Sequence, residues 1–275
     1  MIKRSLAITT FYLLQASLPG SVPRAEELSS LTLSAFDQYA GQRERQIQEE
    51  LSDISHFFWV DRLAGIQRER SYADMKKGGI LIDPGKKTEI PDGLIHHWTG
   101  VGYIPGATLQ QTLAFIQDYD HHASNYNPDV IASKLLLHKG NYYQIHLRFL
   151  KKKVIAVVLD TIHDVTFRSI DSRHVVSQAH TTRISEVKDH GKPNESQLPP
   201  GSGWGFLWKM NTYWRFAESD EGTYVQCETI SLSRDVPFAV GWIVNRFVNS
   251  IPQESLTFTL TRTRERILEL AAAKK

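Results

Sequence analysis

The chain has 275 residues, enough for one large domain or two small ones around a sizeable core. Hydrophobic residues make up 41% and charged residues 23%, which excludes a disordered or fibrous chain. Lys+Arg 32 against Asp+Glu 30 leaves +2, which argues against a dedicated nucleic-acid binder, and the single cysteine, Cys227, excludes a disulfide framework or a cysteine-built zinc site.

Met1-Ile2-Lys3-Arg4 precede an apolar run over 6–18 that Thr9, Thr10 and Gln15 interrupt. A basic start before a short hydrophobic run is the pattern of a secretory signal, and this run is too short to span a bilayer well. Residues 1–25 are therefore expected to direct export to the periplasm or beyond. No small-residue cleavage context stands out, and a frayed helix on a cytoplasmic protein is the alternative. No later segment reaches about 18 uninterrupted apolar residues.

Phe36, Ala40, Ile47, Leu51, Ile54 and Phe58 recur at helical spacing and predict one helix over 34–63, with Thr32 or Ser34 as N-cap. Asp37, Gln42, Arg45, Gln48, Glu49 and Asp53 read as its solvated face. Glycine and proline punctuate residues 77–93, which reads as a set of turns separating this segment from the rest.

A strand is predicted over 94–104, ended by Pro105-Gly106. Thr108 then caps a short helix carrying Leu109, Leu113 and Ile116. Strand-like runs follow over 130–138, 142–150, 154–161, 164–170 and 174–187, with Lys151-Lys152-Lys153 as a solvated hairpin tip. Residues 189–203 form a polar loop with three prolines and three glycines, long enough to suggest a lid or binding loop. In the next run, 204–217, Phe206, Trp208, Met210, Trp214 and Phe216 share one face, so Trp208 and Trp214 are both expected to point toward the closing helix. A last strand is predicted over 223–232. The remainder is helical, with Ser250-Ile251-Pro252-Gln253 suggesting a break or bend near Pro252.

A strand, a short helix, about six hairpin-linked strands and a long helix need one cover for the sheet, and the C-terminal helix supplies it. The order resembles the helix-grip fold of the START and birch-pollen-allergen-like superfamily, which includes lipid-transfer and polyketide cyclase-like proteins. The residues that carry the resemblance are 95–104, 205–216, 222–232 and the tail over 236–268. The fold class is thus expected to be α+β: a curved antiparallel sheet wrapped around a long C-terminal helix, over 93–270, with an extra N-terminal amphipathic helix in an extension over 26–92. The resemblance implies a cavity between sheet and helix for an apolar or amphipathic molecule. The extra helix must pack on the domain, a partner or a membrane surface.

Aromatic residues with a polar tip suit such a cavity, and Trp98, Trp208, Trp214 and Tyr224 are the candidates on strands, with Tyr103 and Trp242 beside them. Charged residues within strands need a partner or a solvated cavity, which adds Arg148, Arg183 and Glu228 as ligand-binding candidates and Glu186 as a further strand charge. Glu228 shares a mixed face with Tyr224, Gln226, Ile230 and Leu232. The His96-His97 and His121-His122 pairs have no metal-ligand spacing, even with Asp120. The glycines around Gly100-Val101-Gly102 lack the strand-to-helix turn of a dinucleotide site and read as a bulge or bend. Cys227 reads as a buried inert thiol. No cofactor, metal or nucleic acid is expected.

The leading expectation is non-catalytic binding or transport of a hydrophobic or lipid-like small molecule in the cell envelope, with 189–203 as a gate. An alternative is a cyclase- or hydrolase-like enzyme acting on an aromatic or polyketide compound. It would use Glu228 with Arg183 or His96 as the acid–base pair. A third reading is an interaction module, with residues 34–63 meeting a protein or a membrane surface.

Overall fold

The computed structural model describes residues 28–83, 85–152, 156–234 and 241–273, with the side chains of 241–250 left aside. The expected signal, residues 1–25, lies outside the described residues, as do residues 236–240 of the tail, the third lysine of the hairpin tip and the first two residues of the strand expected over 154–161.

The first helix, α1, is Ser30–Glu50, shorter than expected at its C-terminal end. Ser29, not Thr32 or Ser34, is the N-cap: its hydroxyl accepts from the Thr32 amide. Thr32 instead donates to the Pro91 carbonyl at 2.9 Å. Past Leu51 the Asp53 carboxylate accepts from the Ser55 amide at 3.0 Å, a local turn that competes with the helix. Two 3₁₀ turns follow, Ile54–His56 and Trp59–Arg62, then a second helix, α2, Gly65–Lys76. The turn-rich stretch after α2 does not stand apart from the sheet. It adds two short strands, β1 (Leu81–Ile82) and β2 (Lys86–Ile90), both paired with β3 (Gly93–Pro105).

Thr108 caps α3 (Leu109–Ile116) through a reciprocal box with Gln111. The short α4 (His122–Asn125) leads into β4 (Val130–Lys139), β5 (Tyr142–Lys152), β6 (Ala156–Ser169) and β7 (His174–Lys188). The two strands expected over 154–161 and 164–170 are one. The register against β7 shifts at Ile162/His163, and this bulge is what broke the apolar pattern. The polar loop carries only the two-residue β8 (Ser196–Gln197). Then come β9 (Lys209–Ser219), β10 (Gly222–Arg234) and the closing helix α5 (Gly241–Ala272). Pro252 lies inside α5 without interrupting it, though it removes the bond to the carbonyl of residue 248.

The strands form one antiparallel sheet in the order β1-β3-β10-β9-β7-β6-β5-β4, curved around α5. This is the expected helix-grip α+β architecture. Successive side chains alternate between the faces. On the inner face Trp98, Ile104, Phe216 and Cys227 pack with Leu256, Leu260 and Ile267 of α5. Gly100 sets how closely α5 approaches, because a Cβ there would sit 2.6 Å from Leu260 Cδ1. The register of β3 against β10 runs without a shift, so Gly100 and Gly102 make no bulge.

The outer face is covered as well. Phe36, Ala40, Ile47 and Leu51 of α1, with Phe57 and Phe58, pack on Val101, Ile230 and Leu232. Burying each large apolar side chain contributes roughly 1.5–3 kcal/mol. The amphipathic stripe of α1 is thus occupied by its own domain. Among the described residues, no helix is long and apolar enough to cross a membrane.

Candidate ligand cavity

Between α5 and the inner face lies a cavity of about 270 Å³. Its walls are mostly apolar. Ile145, Leu147 and Phe149 come from β5, Val157 and Leu159 from β6, and Trp214 from β9. Ile251, Pro252, Leu256 and Phe258 of α5 close it from above, so Pro252 falls where the helix roofs the space. The turn before β9 brings in Phe206 and Leu207. That turn is tied down by Glu186, whose carboxylate accepts from the amides of Trp204, Gly205 and Phe206 at 2.9–3.2 Å. Gly205 has a φ of 72°, and a Cβ there would meet Arg234 Cβ at 2.6 Å.

Polar groups on the walls are mainly hydroxyls and imidazoles. Odd-numbered positions of β10 place Cys227, Thr229, Ser231 and Ser233 in a row. Across the register, Thr229 faces Trp98 and Ser231 faces His96 on β3. His96 is 1% exposed, and its Nε2 lies 3.1 Å from the Ser233 hydroxyl. His163 Nε2 lies 2.8 Å from the Thr161 hydroxyl, and His122 Nε2 lies 3.0 Å from the Ile116 carbonyl. Burial pushes all three imidazoles down to about 4, so they are neutral near pH 7. Burial also raises the Cys227 thiol, which lines the cavity as an un-ionised group. Among the described residues the charged lining groups are Asp129 and Lys151, which pair with each other.

Of the residues singled out from sequence, Trp214 lines this cavity. Trp98 is on the same face but packs in the core among Leu256 and Leu260 rather than on the cavity wall. The expectation for Trp208 is corrected. It precedes β9, so strand alternation does not govern it, and it packs in the outer-face cluster with Tyr224. Arg148 is held away from the cavity by Asp160 and Glu195, and Arg183 is exposed, donating to Gln197 at 2.7 Å.

Glu228 is also on the outer face. It is 1% exposed and accepts from Arg43 Nε at 2.6 Å and from His97 Nε2 at 2.8 Å. Burial works to raise its pKa, but His97 and Arg43 outweigh burial and hold it at about 2. Arg43 also pairs with Glu50, which takes Arg62 and Arg215. Glu228 therefore belongs to a charge cluster that fastens α1 to the sheet, and the proposed pairing with Arg183 or His96 does not form. His121 bonds Asp118 on the surface, and Asp120 caps the Leu135 amide. Among the described residues no group of histidines, cysteines and carboxylates is gathered for a metal.

Sequence reasoning missed His122 and His163 as lining groups, Arg43 as the partner of Glu228, and Glu50 as the second carboxylate on Arg43. A signal for the last two existed: Arg43 and Glu50 lie on the helical stripe of Phe36, Ala40 and Ile47.

No family model matches the sequence, and no curated protein matches it. Among solved structures, the chain is similar to a STAR-related lipid transfer protein from Xanthomonas axonopodis at 14% identity and a TM-score of 0.45, covering 67% of this chain and 99% of that one. It is similar to a START superfamily protein from Mycobacterium smegmatis at 12% identity and 0.40, covering 63% and 98%. A Streptomyces aromatase/cyclase matches at 12% identity and 0.40, covering 62% and 93%. At these values the likenesses carry no functional argument, which rests on the cavity itself.

Proposed function

We propose that this protein binds and carries a hydrophobic small molecule in the space between the sheet and α5, without converting it. One observation carries this reading: an apolar chamber of about 270 Å³ in which, among the described residues, the two charged lining groups pair with each other. That size is near the low end of the usual range of about 300–1,000 Å³ for ligand pockets, so it suits one compact molecule. A carboxylate or phosphate placed among these walls would lose its hydration, and among the described residues the lining cation, Lys151, is already paired with Asp129. In this reading Trp214 contacts the ligand. The Phe206–Leu207 turn, with the 189–203 loop behind it, is the gate.

The carrier reading is favoured over the enzyme because, among the described residues, the lining carboxylate and amine, Asp129 and Lys151, are spent on each other. Glu228 is on the far face, and the cavity imidazoles are poor bases with pKa values of about 4. Export through residues 1–25 is part of the same proposal, and it would put the carrier in the cell envelope. Fractionation of cells expressing the tagged chain checks it, and a purely cytoplasmic protein would remove that part.

Native mass spectrometry of the gently purified protein, followed by organic extraction, tests the function. A reproducible neutral apolar adduct is expected. An apo mass that takes up nothing from a lipid extract would overturn the carrier reading.

A further inference from the structure

The cavity is not uniform across the sheet. Thr229 of β10 and Thr212 of β9 are paired in register, and both line it. The same row continues through Ala179 of β7 to Val165 of β6, so it passes from hydroxyl to hydrocarbon. Ser231 lies two positions from Thr229 on the same face. Beyond the row, β5 and β6 supply Ile145, Leu147 and Leu159. Lys151 and His163 of those strands are engaged by Asp129 and Thr161. The closing helix lies on the hydroxyl side: α5 packs chiefly on β3 and β10, and it adds Ser255 and Thr259 to the lining. One long side of the chamber therefore carries hydroxyls, and the other is mostly hydrocarbon.

Two observations set Thr212 and Thr229 apart. Both belong to interior strands beneath α5, yet both are partly exposed, and the surface they expose is cavity wall. Neither hydroxyl is sealed from the cavity, and among the described residues neither has a hydrogen-bond partner. Other threonines of the core are tied to protein: Thr161 donates to the Leu147 carbonyl, Thr223 to the Ala107 carbonyl, and Thr263 bonds Tyr126. Valine would fill such strand positions with no polar atom to satisfy. Side chains at paired positions have Cβ atoms about 4.5–5.5 Å apart, so the two hydroxyls are within reach of one edge of a small molecule.

We propose that the cavity binds a neutral molecule that is polar along one edge and apolar along the other, with its polar edge on Thr212 and Thr229 and its apolar edge toward β5 and β6. This rests on the carrier reading and deepens it, naming a ligand class and two specificity-determining residues. A hydroxyl donates or accepts as its partner requires, so ester, ketone, ether and alcohol oxygens all serve. What the chamber fixes is their placement on one side. A ligand with oxygens at opposite ends sets one of them against Leu147 and Leu159, desolvated and unpaired.

Dimethyl phthalate and dimethyl terephthalate are neutral isomers with their two esters on adjacent and on opposite carbons of one ring, and para-diisopropylbenzene is a hydrocarbon of similar size. Equilibrium dialysis against the full chain at pH 7 is expected to give about tenfold tighter binding of the phthalate than of the terephthalate, the worth of one ordinary hydrogen bond. Thr212→Val with Thr229→Val keeps the branched shape and the strand preference while removing both hydroxyls. It should weaken the phthalate about tenfold, and the hydrocarbon should bind as in wild type or more tightly. Should the double variant fail to fold, each single variant should weaken the phthalate severalfold, and the isomer comparison on wild-type protein needs no variant. Equal binding of the two isomers, or tighter binding of the terephthalate, would overturn the one-edge inference and leave the carrier reading standing. The inference falls equally if the variants keep wild-type affinity for the phthalate. Binding of none of the three compounds would remove the carrier reading itself.

Discussion

His96 and His97 are neighbours in the chain and stand on opposite faces of β3. His97 reaches the outer face, with Nε2 at 2.8 Å from Glu228 and Nδ1 at 2.9 Å from the Tyr39 hydroxyl. His96 lines the cavity beneath α5. One peptide step thus separates the group that helps fasten the N-terminal helix from a group on the ligand side. The sheet is a wall between a charged cluster and an apolar chamber, so the two sides can be altered independently.

Glu228→Ala should show that independence. The substitution leaves the part-buried His97 without its carboxylate and takes one of two carboxylates from Arg43, which keeps Glu50. Breaking a buried pair in this way costs about 3–5 kcal/mol. Urea denaturation should read that loss, while ligand uptake by the folded fraction stays at the wild-type level. A loss below about 1 kcal/mol would mean that the cluster does not hold α1 in place.

Stability should fall with acid in two stages. His96, His122 and His163 are depressed by burial from 6.5 to about 4, so between those values the unfolded chain binds protons that the folded one refuses. Their contribution is complete above pH 6.5 and declines as pH falls toward 4, by about 1.4 kcal/mol per pH unit for each ring. Glu228 and Glu50 sit at about 2, burial being outweighed by His97 and Arg43 in the first and by Arg43, Arg62 and Arg215 in the second. Their contribution is present above about 4.5 and declines as pH falls toward 2. Urea midpoints from pH 7 to pH 3 check both stages. A flat profile between pH 6.5 and 4.5 would contradict the burial of the three imidazoles.

The apolar stripe of α1 should behave as core. Phe36 is 1% exposed, and Phe36→Ala should cost about 3–5 kcal/mol in a thermal or urea melt. The double substitution Ile47→Asp with Leu51→Asp puts two charges where the side chains are 7% and 8% exposed. It should unfold or detach the N-terminal segment, seen as new protease cleavage before β3. Were this double variant as stable as wild type but impaired in binding a partner, α1 would be an interaction helix after all.

Filling the chamber should block it. Ala179 lines the cavity from β7, and Ala179→Phe introduces a ring into the space. Uptake of an apolar ligand should fall at least about tenfold, with near-native circular dichroism and an unchanged or slightly raised melting temperature. Full uptake in this variant would place the ligand elsewhere.

Much of the fold is legible in the sequence because its signals are local. The Thr108–Gln111 capping box, the alternation of β5 and the Glu221-Gly222 turn before β10 are written within a few residues each. The departures are local too. Asp53 ends α1 early through its own turn, and the bulge at Ile162/His163 makes one strand look like two. Trp208 lies just outside the strand whose alternation would have turned it inward.

The site is less legible, for a different reason. Alternation says that Cys227 and Glu228 point to opposite faces, but not which face is closed by α5 and which by α1. A mixed stripe such as Tyr224, Gln226, Glu228 and Ile230 fits a cavity wall or a charged interface equally well. The sequence by itself determined most of the long elements, their order and the alternation within each strand, because backbone sterics and side-chain periodicity act over a few residues; α2, β1 and β2 carried no such signal. Tertiary structure alone decided that Arg43, 185 positions before Glu228, would meet its carboxylate, and that His96 would keep an unpaired nitrogen beside a cavity. Those outcomes depend on which surfaces remain to be covered once the sheet has curved, and no local pattern encodes them.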